Sequence, residues 1–169
     1  MLKTKSFTTI SSLASFNHKN SRHPQNAIHD VSVRKASLIA VIGVGFVGAG
    51  LIDAFSSKYN VLGFDVNEDR VRDLRKQFHL KPNVTLTSAE SDLGKATHFL
   101  ISVPTLLRPD KTFNLSYLED AVQKVAQYAK RGSVIVIESS VAVGQTRELL
   151  GPIAKARRLF AGMSPEVSR

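Results

Sequence analysis

The chain has 169 residues, 43% of them hydrophobic, with a formal net charge of +9 and no cysteine. That length and apolar fraction suit one domain with a proper core. The missing thiols exclude disulfides, thiolate metal sites and a thiol nucleophile among these residues. No apolar stretch reaches the ~18 residues of a membrane-spanning helix, so no membrane association is predicted, and no basic run interleaved with aromatics points to nucleic acid.

The charge is uneven. Residues 1–37 carry Lys3, Lys5, Lys19, Arg22, Arg34 and Lys35 against Asp30 alone, and are rich in Ser, Thr, Asn and His. Scattered apolar residues with excess charge predict a disordered basic tail, or else an inaccurately assigned start. A basic, Ser-rich, acid-poor opening also fits an organelle-targeting segment. The expected compartment is cytoplasmic, with import through this tail as the alternative. His18, His23 and His29 are irregularly spaced, and no metal site is predicted.

From residue 38 the pattern changes. The apolar run Leu38-Ile39-Ala40-Val41-Ile42 leads into Gly43-Val44-Gly45-Phe46-Val47-Gly48, then a helical stretch over 46–58 with Val47, Leu51, Ile52 and Phe55 on one face. A second apolar run, Val61-Leu62-Gly63-Phe64, ends at Asp65, which lies 22 residues after Gly43. A lone G-x-G-x-x-G says little. Between a strand and a helix, with an acid about 20 residues on, it is the fingerprint of a dinucleotide-binding turn. Gly43 allows the sharp turn, Gly45 lets a pyrophosphate approach the backbone, and Gly48 lets the helix pack on the sheet. The positive end of the helix would face the phosphates. Asp65 would accept the adenosine ribose hydroxyls and repel a 2′-phosphate, so NAD is expected rather than NADP.

The remaining elements follow in order. A helix is predicted near 67–79, with Asn67 as its cap, Glu68 and Asp69 in its first turn, and Val71, Leu74 and Phe78 inward. Arg70 on this helix is a candidate for the adenine end of NAD, and its neighbours Arg72, Arg75 and Lys76 read as a wet face. A short strand near 84–86 follows, then a strand over 98–103 ending at Pro104. Ser116-Tyr117-Leu118-Glu119 has the form of a capping box. It predicts a helix to about Lys130 with Leu118, Ala121, Val122, Val125 and Ala129 buried, stopped by Gly132. Strand 133–138, a helix near 145–156 interrupted or kinked at Pro152, and a last strand over 159–163 complete the chain. Near-continuous apolar strands imply a parallel sheet covered on both faces. The fold class is therefore α/β, a doubly wound, mostly parallel sheet of the Rossmann type occupying residues 38–169.

Ligands of such sheets lie beyond the carboxyl ends of the strands. That rim collects the glycine loop, Asp65, the Val103-Pro104-Thr105 turn, residues 138–144 from Glu138 to Gly144, and Ser164-Pro165-Glu166. A carboxylate beside two hydroxyls, Glu138-Ser139-Ser140, directly after an apolar strand is an odd choice for packing.

In this order the segments resemble the N-terminal domain of the UDP-glucose/GDP-mannose dehydrogenase family, the nucleotide-sugar 6-dehydrogenases. Gly43–Gly48 is similar to their G-x-G-[YF]-V-G and Val61–Asp65 to V-x-G-x-D. Ser102–Thr105 resembles the start of C/S-V-P-T-P, Asn114–Leu118 D-L-S-Y-[LV], Glu138–Gly144 E/K-S-T-V-P-P-G, and Ser164–Glu166 S-P-E. Glu138, where UDP-glucose enzymes often have Lys, tilts the resemblance toward the UDP-N-acetylhexosamine branch. It implies that Gly43, Gly45, Phe46, Val47, Gly48, Asp65, Arg70, Val103, Pro104, Thr105, Glu138 and Ser140 contact NAD. It also implies that Ser140 and Glu166 serve the chemistry, Ser140 by holding a water and Glu166 by relaying a proton if burial raises its pKa.

There are departures. Ser140 replaces a threonine, Leu106 the second proline of the first turn, and Ala142 and Val143 the proline pair. After Glu166 the match stops, so the domain is expected to be truncated at its C-terminal end, without the family's central domain and nucleophilic cysteine. A UDP-sugar substrate and oligomer formation, both implied by the resemblance, would then need the missing parts, and the last strand and helix would leave an apolar face exposed. Two alternatives stay open: an NAD-binding or interaction module without catalysis, and half of a hydroxyacid-type dehydrogenase.

Overall fold

The computed structural model describes residues 37–109 and 112–164. The predicted tail, apart from Ser37, and Glu166 lie outside the described residues. The elements are β1 (Leu38–Ile42), α1 (Phe46–Phe55), β2 (Asn60–Phe64), α2 (Glu68–Gln77), β3 (Val84–Thr87), a 3-10 helix (Glu90–Lys95), β4 (His98–Ile101), β5 (Leu106–Leu107), β6 (Phe113–Asn114), α3 (Ser116–Tyr128), β7 (Val134–Ile137), α4 (Gln145–Arg157) and β8 (Phe160–Met163).

Six strands form one sheet in the order β3-β2-β1-β4-β7-β8, and every neighbouring pair is parallel. The chain builds outward from β1 to β3, returns to the centre with β4, and continues the other way. β1 and β4 therefore flank the switch point, where a crevice opens beyond the strand ends.

Alternate residues of each strand serve opposite faces. Ala40, Ile42, Leu62, Phe64, Phe99, Ile101, Ile135 and Ile137 join Leu118, Ala121, Val122 and Val125 of α3 and Leu150 of α4 in one buried cluster. Ile39, Val41, Val61, Leu100 and Val136, also buried, take the other face. There α1 lies along β1 and β2, and α2 along β3. Each fully buried aliphatic or aromatic side chain contributes about 1.5–3 kcal/mol. The two-sided sheet read from the apolar runs is the one observed.

The differences lie at element ends. α1 stops at Phe55 rather than 58, and β4 at Ile101 rather than 103. α2 starts as read: the Asn67 side chain accepts the N–H groups of Asp69 and Arg70 at 3.0 and 3.2 Å. The capping box does not form. Leu115 takes the N-cap position of α3 without a side-chain bond, because the Asn114 side chain accepts the Ser116 N–H at 3.1 Å and draws Ser116 into the helix as its first residue. α3 ends at Tyr128, where Ala129 is already extended, so Gly132 shapes the following turn rather than stopping the helix. α4 runs without a break through Pro152. Pro152 is exposed, so water can serve the carbonyl its missing N–H leaves. The 3-10 helix and the β5–β6 hairpin were not predicted. β8 is an edge strand whose Phe160 and Met163 are 65% and 50% exposed, the apolar surface expected near the chain's end.

One titratable group belongs to the sheet itself. His98 opens β4, its Nδ1 is 2.9 Å from Thr97 Oγ1, and burial lowers its pKa from 6.5. Between its folded and unfolded pKa values the unfolded chain binds more protons, so stability rises with pH there. The contribution is present above pH 6.5 and is lost as the pH falls through the folded value. Urea unfolding from pH 7.5 downward should show that decline, and His98→Gln should flatten it.

Candidate active site at the strand ends

The glycine loop is shaped by what surrounds it. Gly43 has φ +83°, and a Cβ there would stand 2.8 Å from Ser102 O and 2.9 Å from Val103 Cγ1. Its N–H donates to Phe64 O at 2.9 Å, which joins the loop to the end of β2. Gly48 is tighter still: a Cβ would fall 2.1 Å from Gly43 O. Gly45 is the reverse case, because a Cβ there would meet nothing within 4 Å. Its open side faces a cleft of about 580 Å3 that runs along the carboxyl ends of the strands. α1 begins here with no side-chain cap and no acid in its first turn, so its positive end can receive an anion.

Asp65 does more than wait for a ribose. Its Oδ2 accepts the Val44 N–H at 2.9 Å and its Oδ1 the Asn67 N–H at 2.9 Å. A carboxylate has about four acceptor sites, so capacity for ligand hydroxyls remains. Arg70 reaches the same loop from α2, donating from Nε to Val44 O at 2.8 Å and from a terminal nitrogen to Gly45 O at 3.2 Å. Arg70 and Gly48 are not among the residues lining the cleft; Arg70 bonds to the glycine loop and Gly48 packs against Gly43 of it.

The turns after β4 and β7 form the other end. Ser139 Oγ donates to Val103 O at 2.6 Å, and Thr105 Oγ1 donates to Ser140 O at 2.9 Å. These two bonds clamp together segments about 35 residues apart. Val103, Pro104, Thr105, Glu138 and Ser140 all line the cleft, with Glu138 buried and Ser140 exposed. Ser164 N donates to Ile137 O at 2.9 Å, so Ser164 lies beside the Glu138 turn. The cleft thus gathers Gly43, Gly45, Phe46, Val47, Asp65, Val103, Pro104, Thr105, Glu138 and Ser140.

A third wall was not foreseen. Tyr117, Asp120, Ala121 and Lys124 of α3 line the same cleft as Asp65 and Val66. Lys124 Nζ lies 3.0 Å from Asp120 Oδ1 and 3.1 Å from Glu90 Oε1, and these carboxylates raise its pKa. The spacing Asp120, Lys124 is a readable i, i+4 pair, but only the fold shows which way it faces.

Residues 37–167 match the UDP-glucose/GDP-mannose dehydrogenase family, NAD binding domain. The chain belongs to that family. It is 32% identical over 145 residues to Protein CapL of Staphylococcus aureus, covering 76% of this chain and 34% of that protein. It is 30% identical over 146 residues to UDP-N-acetyl-D-glucosamine 6-dehydrogenase of Pseudomonas aeruginosa, covering 76% and 35%. Among solved structures it resembles the UDP-D-ManNAc dehydrogenase of Pyrococcus horikoshii, with TM-score 0.69 and 26% identity over 78% of this chain and 37% of that one. The chain spans about a third of the length of the curated relatives it matches. Family membership and the NAD cofactor bear out the sequence reading. The residues fit that cofactor: an open-sided glycine, a helix start without a side-chain cap and a carboxylate with spare acceptors meet in one cleft of a size usual for such ligands. Among the described residues, no helix is long and apolar enough to cross a membrane.

Proposed function

We propose that this chain is the cofactor-binding portion of a nucleotide-sugar 6-dehydrogenase and that the cleft is where NAD lies. The observation that carries this is the continuity of one cleft from Asp65, past the open side of Gly45, to the clamped turns at Val103–Thr105 and Glu138–Ser140. In such enzymes NAD accepts the hydrides taken from the sugar C6. Here the start of α1 and Gly45 would receive the pyrophosphate, Asp65 the adenosine ribose, and Val103, Pro104 and Thr105 the nicotinamide side. Ser140, an exposed residue of the cleft, would hold a water, and Glu166 would relay protons. Relatives named for UDP-N-acetylhexosamines and Glu138 both favour that sugar class. These 169 residues hold no cysteine, so they do not supply the thiol that captures the aldehyde. The chain is expected to bind cofactor without turning over sugar, and to do so in the cytoplasm.

Calorimetric titration tests this. NAD should bind at micromolar to sub-millimolar strength and NADP about tenfold more weakly or worse, because Asp65 opposes the 2′-phosphate. Gly45→Ala should lower the melting temperature only modestly, since its Cβ meets nothing although alanine caps a helix less well than glycine, yet abolish NAD binding by filling the approach to the phosphates. A folded chain that binds neither dinucleotide would refute the proposal.

A further inference from the structure

We propose that Asp120 of α3 reads the exocyclic group of the cofactor's purine, making the α3 wall a selectivity device for adenine. The inference rests on NAD lying in the cleft. In a dinucleotide the order is pyrophosphate, ribose, base. If α1 receives the first and Asp65 the second, the base must occupy the cleft beyond Asp65. The cleft is lined there by Phe64 at the end of β2 and by Val66 next to Asp65 in the chain, and its lining also includes Tyr117, Asp120, Ala121 and Lys124 from α3. Phe64, Val66, Ala121 and the Tyr117 ring give the apolar surfaces a base needs.

Two bonds place the charged part of this wall at the Asp65 end rather than the nicotinamide end. Lys124 Nζ reaches Glu90 at 3.1 Å, and Glu90 opens the 3-10 helix that follows β3. The last residue of β3, Thr87, accepts the Asp65 N–H at 3.2 Å. The Lys124 side chain is only 21% exposed, whereas Asp120, at 59%, stays open to a ligand.

The pair presents an acceptor beside a donor. One Asp120 oxygen is bonded to Lys124, and the carboxylate has acceptor capacity left. Lys124 has three N–H donors, two of them directed at Asp120 and Glu90. Adenine offers the matching edge, an N6 amino donor beside the N7 acceptor. Hypoxanthine puts a carbonyl oxygen where adenine has the amino group, and that oxygen would face the carboxylate.

The test compares calorimetric affinities for NAD and nicotinamide hypoxanthine dinucleotide. The native chain should favour NAD by about tenfold, because a site built to accept a hydrogen bond rejects the analogue that cannot donate it. Asp120→Asn, whose amide can turn to donate or accept, should bring that ratio close to one. Lys124→Met should weaken both ligands by a similar factor, since both purines keep N7. A native chain that binds both dinucleotides equally, or an Asp120→Asn chain with an unchanged ratio, overturns the inference and leaves the NAD site standing. A native chain that binds neither overturns the cofactor site as well.

Discussion

Replacing Gly48 with alanine is expected to lower the unfolding free energy by about 3 kcal/mol, as overpacking at a rigid contact does. Helix propensity argues the other way, since alanine is favoured over glycine by about 1 kcal/mol in a helix interior. Sterics decides. The added Cβ would sit 2.1 Å from Gly43 O and 3.1 Å from Gly43 C, and both are backbone atoms that cannot rotate aside. Gly43 is itself fixed from two sides, by its bond to Phe64 O and by the proximity of Ser102 O. Relief would have to come from α1 lifting off β1, which uncovers Leu51 and Ile52, both fully buried. Gly151 provides the control within the same molecule. It lies inside α4, and a Cβ there would meet only Arg147 Cγ at 3.9 Å. Gly151→Ala should therefore gain up to about 1 kcal/mol. Chemical denaturation of the two variants beside the parent separates the effects. A Gly48→Ala chain as stable as the parent would mean that the helix does not rest on the loop as described.

The same glycine loop marks how far one dimension carries. The central strands β1, β2, β4 and β7 were readable because they bury both faces: Leu62 and Phe64 meet one layer, Val61 the other, and no polar residue interrupts their interiors. The parallel order follows, since each strand is separated from the next by enough chain for a crossover. Element ends were less readable because they depend on competition for single N–H groups. Ser116 fits a capping box on paper, yet Asn114 claims its N–H first. The β5–β6 hairpin pairs only two residues a side, too short for any periodicity. In the site, residue types announced the rim but not its internal bonds. The Asp65 to Val44 bond spans 21 residues and the clamps between the Val103 and Ser140 turns about 35. Such bonds are set by strand register, which no local pattern encodes. The α3 wall was missed for a related reason. Ala121 reads correctly as core, and Tyr117, Asp120 and Lys124 flank it at helical spacing as any solvated edge would. Only the placement of α3 beside the 3-10 helix turns that edge into a wall of the cleft.

Asp65 should separate fold from function most sharply, because it serves both. Asp65→Ala removes the acceptor of the Val44 N–H, which belongs to a fully buried residue, and of the Asn67 N–H just before α2. Leaving a buried donor unsatisfied costs about 1–3 kcal/mol, so the variant should melt earlier even without cofactor. It also loses the ribose acceptors. Hydrogen bonds to a charged group are worth about 1.5–3 kcal/mol each, so NAD affinity should fall by about 100-fold or more. Asp65→Asn divides the two roles. Its single amide oxygen can still accept one of the two backbone N–H groups, while its NH2 opposes the other, so about half of the stability loss should return. The negative charge does not return. The asparagine variant should therefore bind NAD more weakly than the parent but no longer discriminate strongly against NADP, because the repulsion of the 2′-phosphate is gone. Thermal melting with and without each dinucleotide, beside calorimetry, reads every one of these effects. If Asp65→Asn kept the parent's preference for NAD over NADP, the discrimination would reside elsewhere, and Asp65 would be a brace for the glycine loop alone.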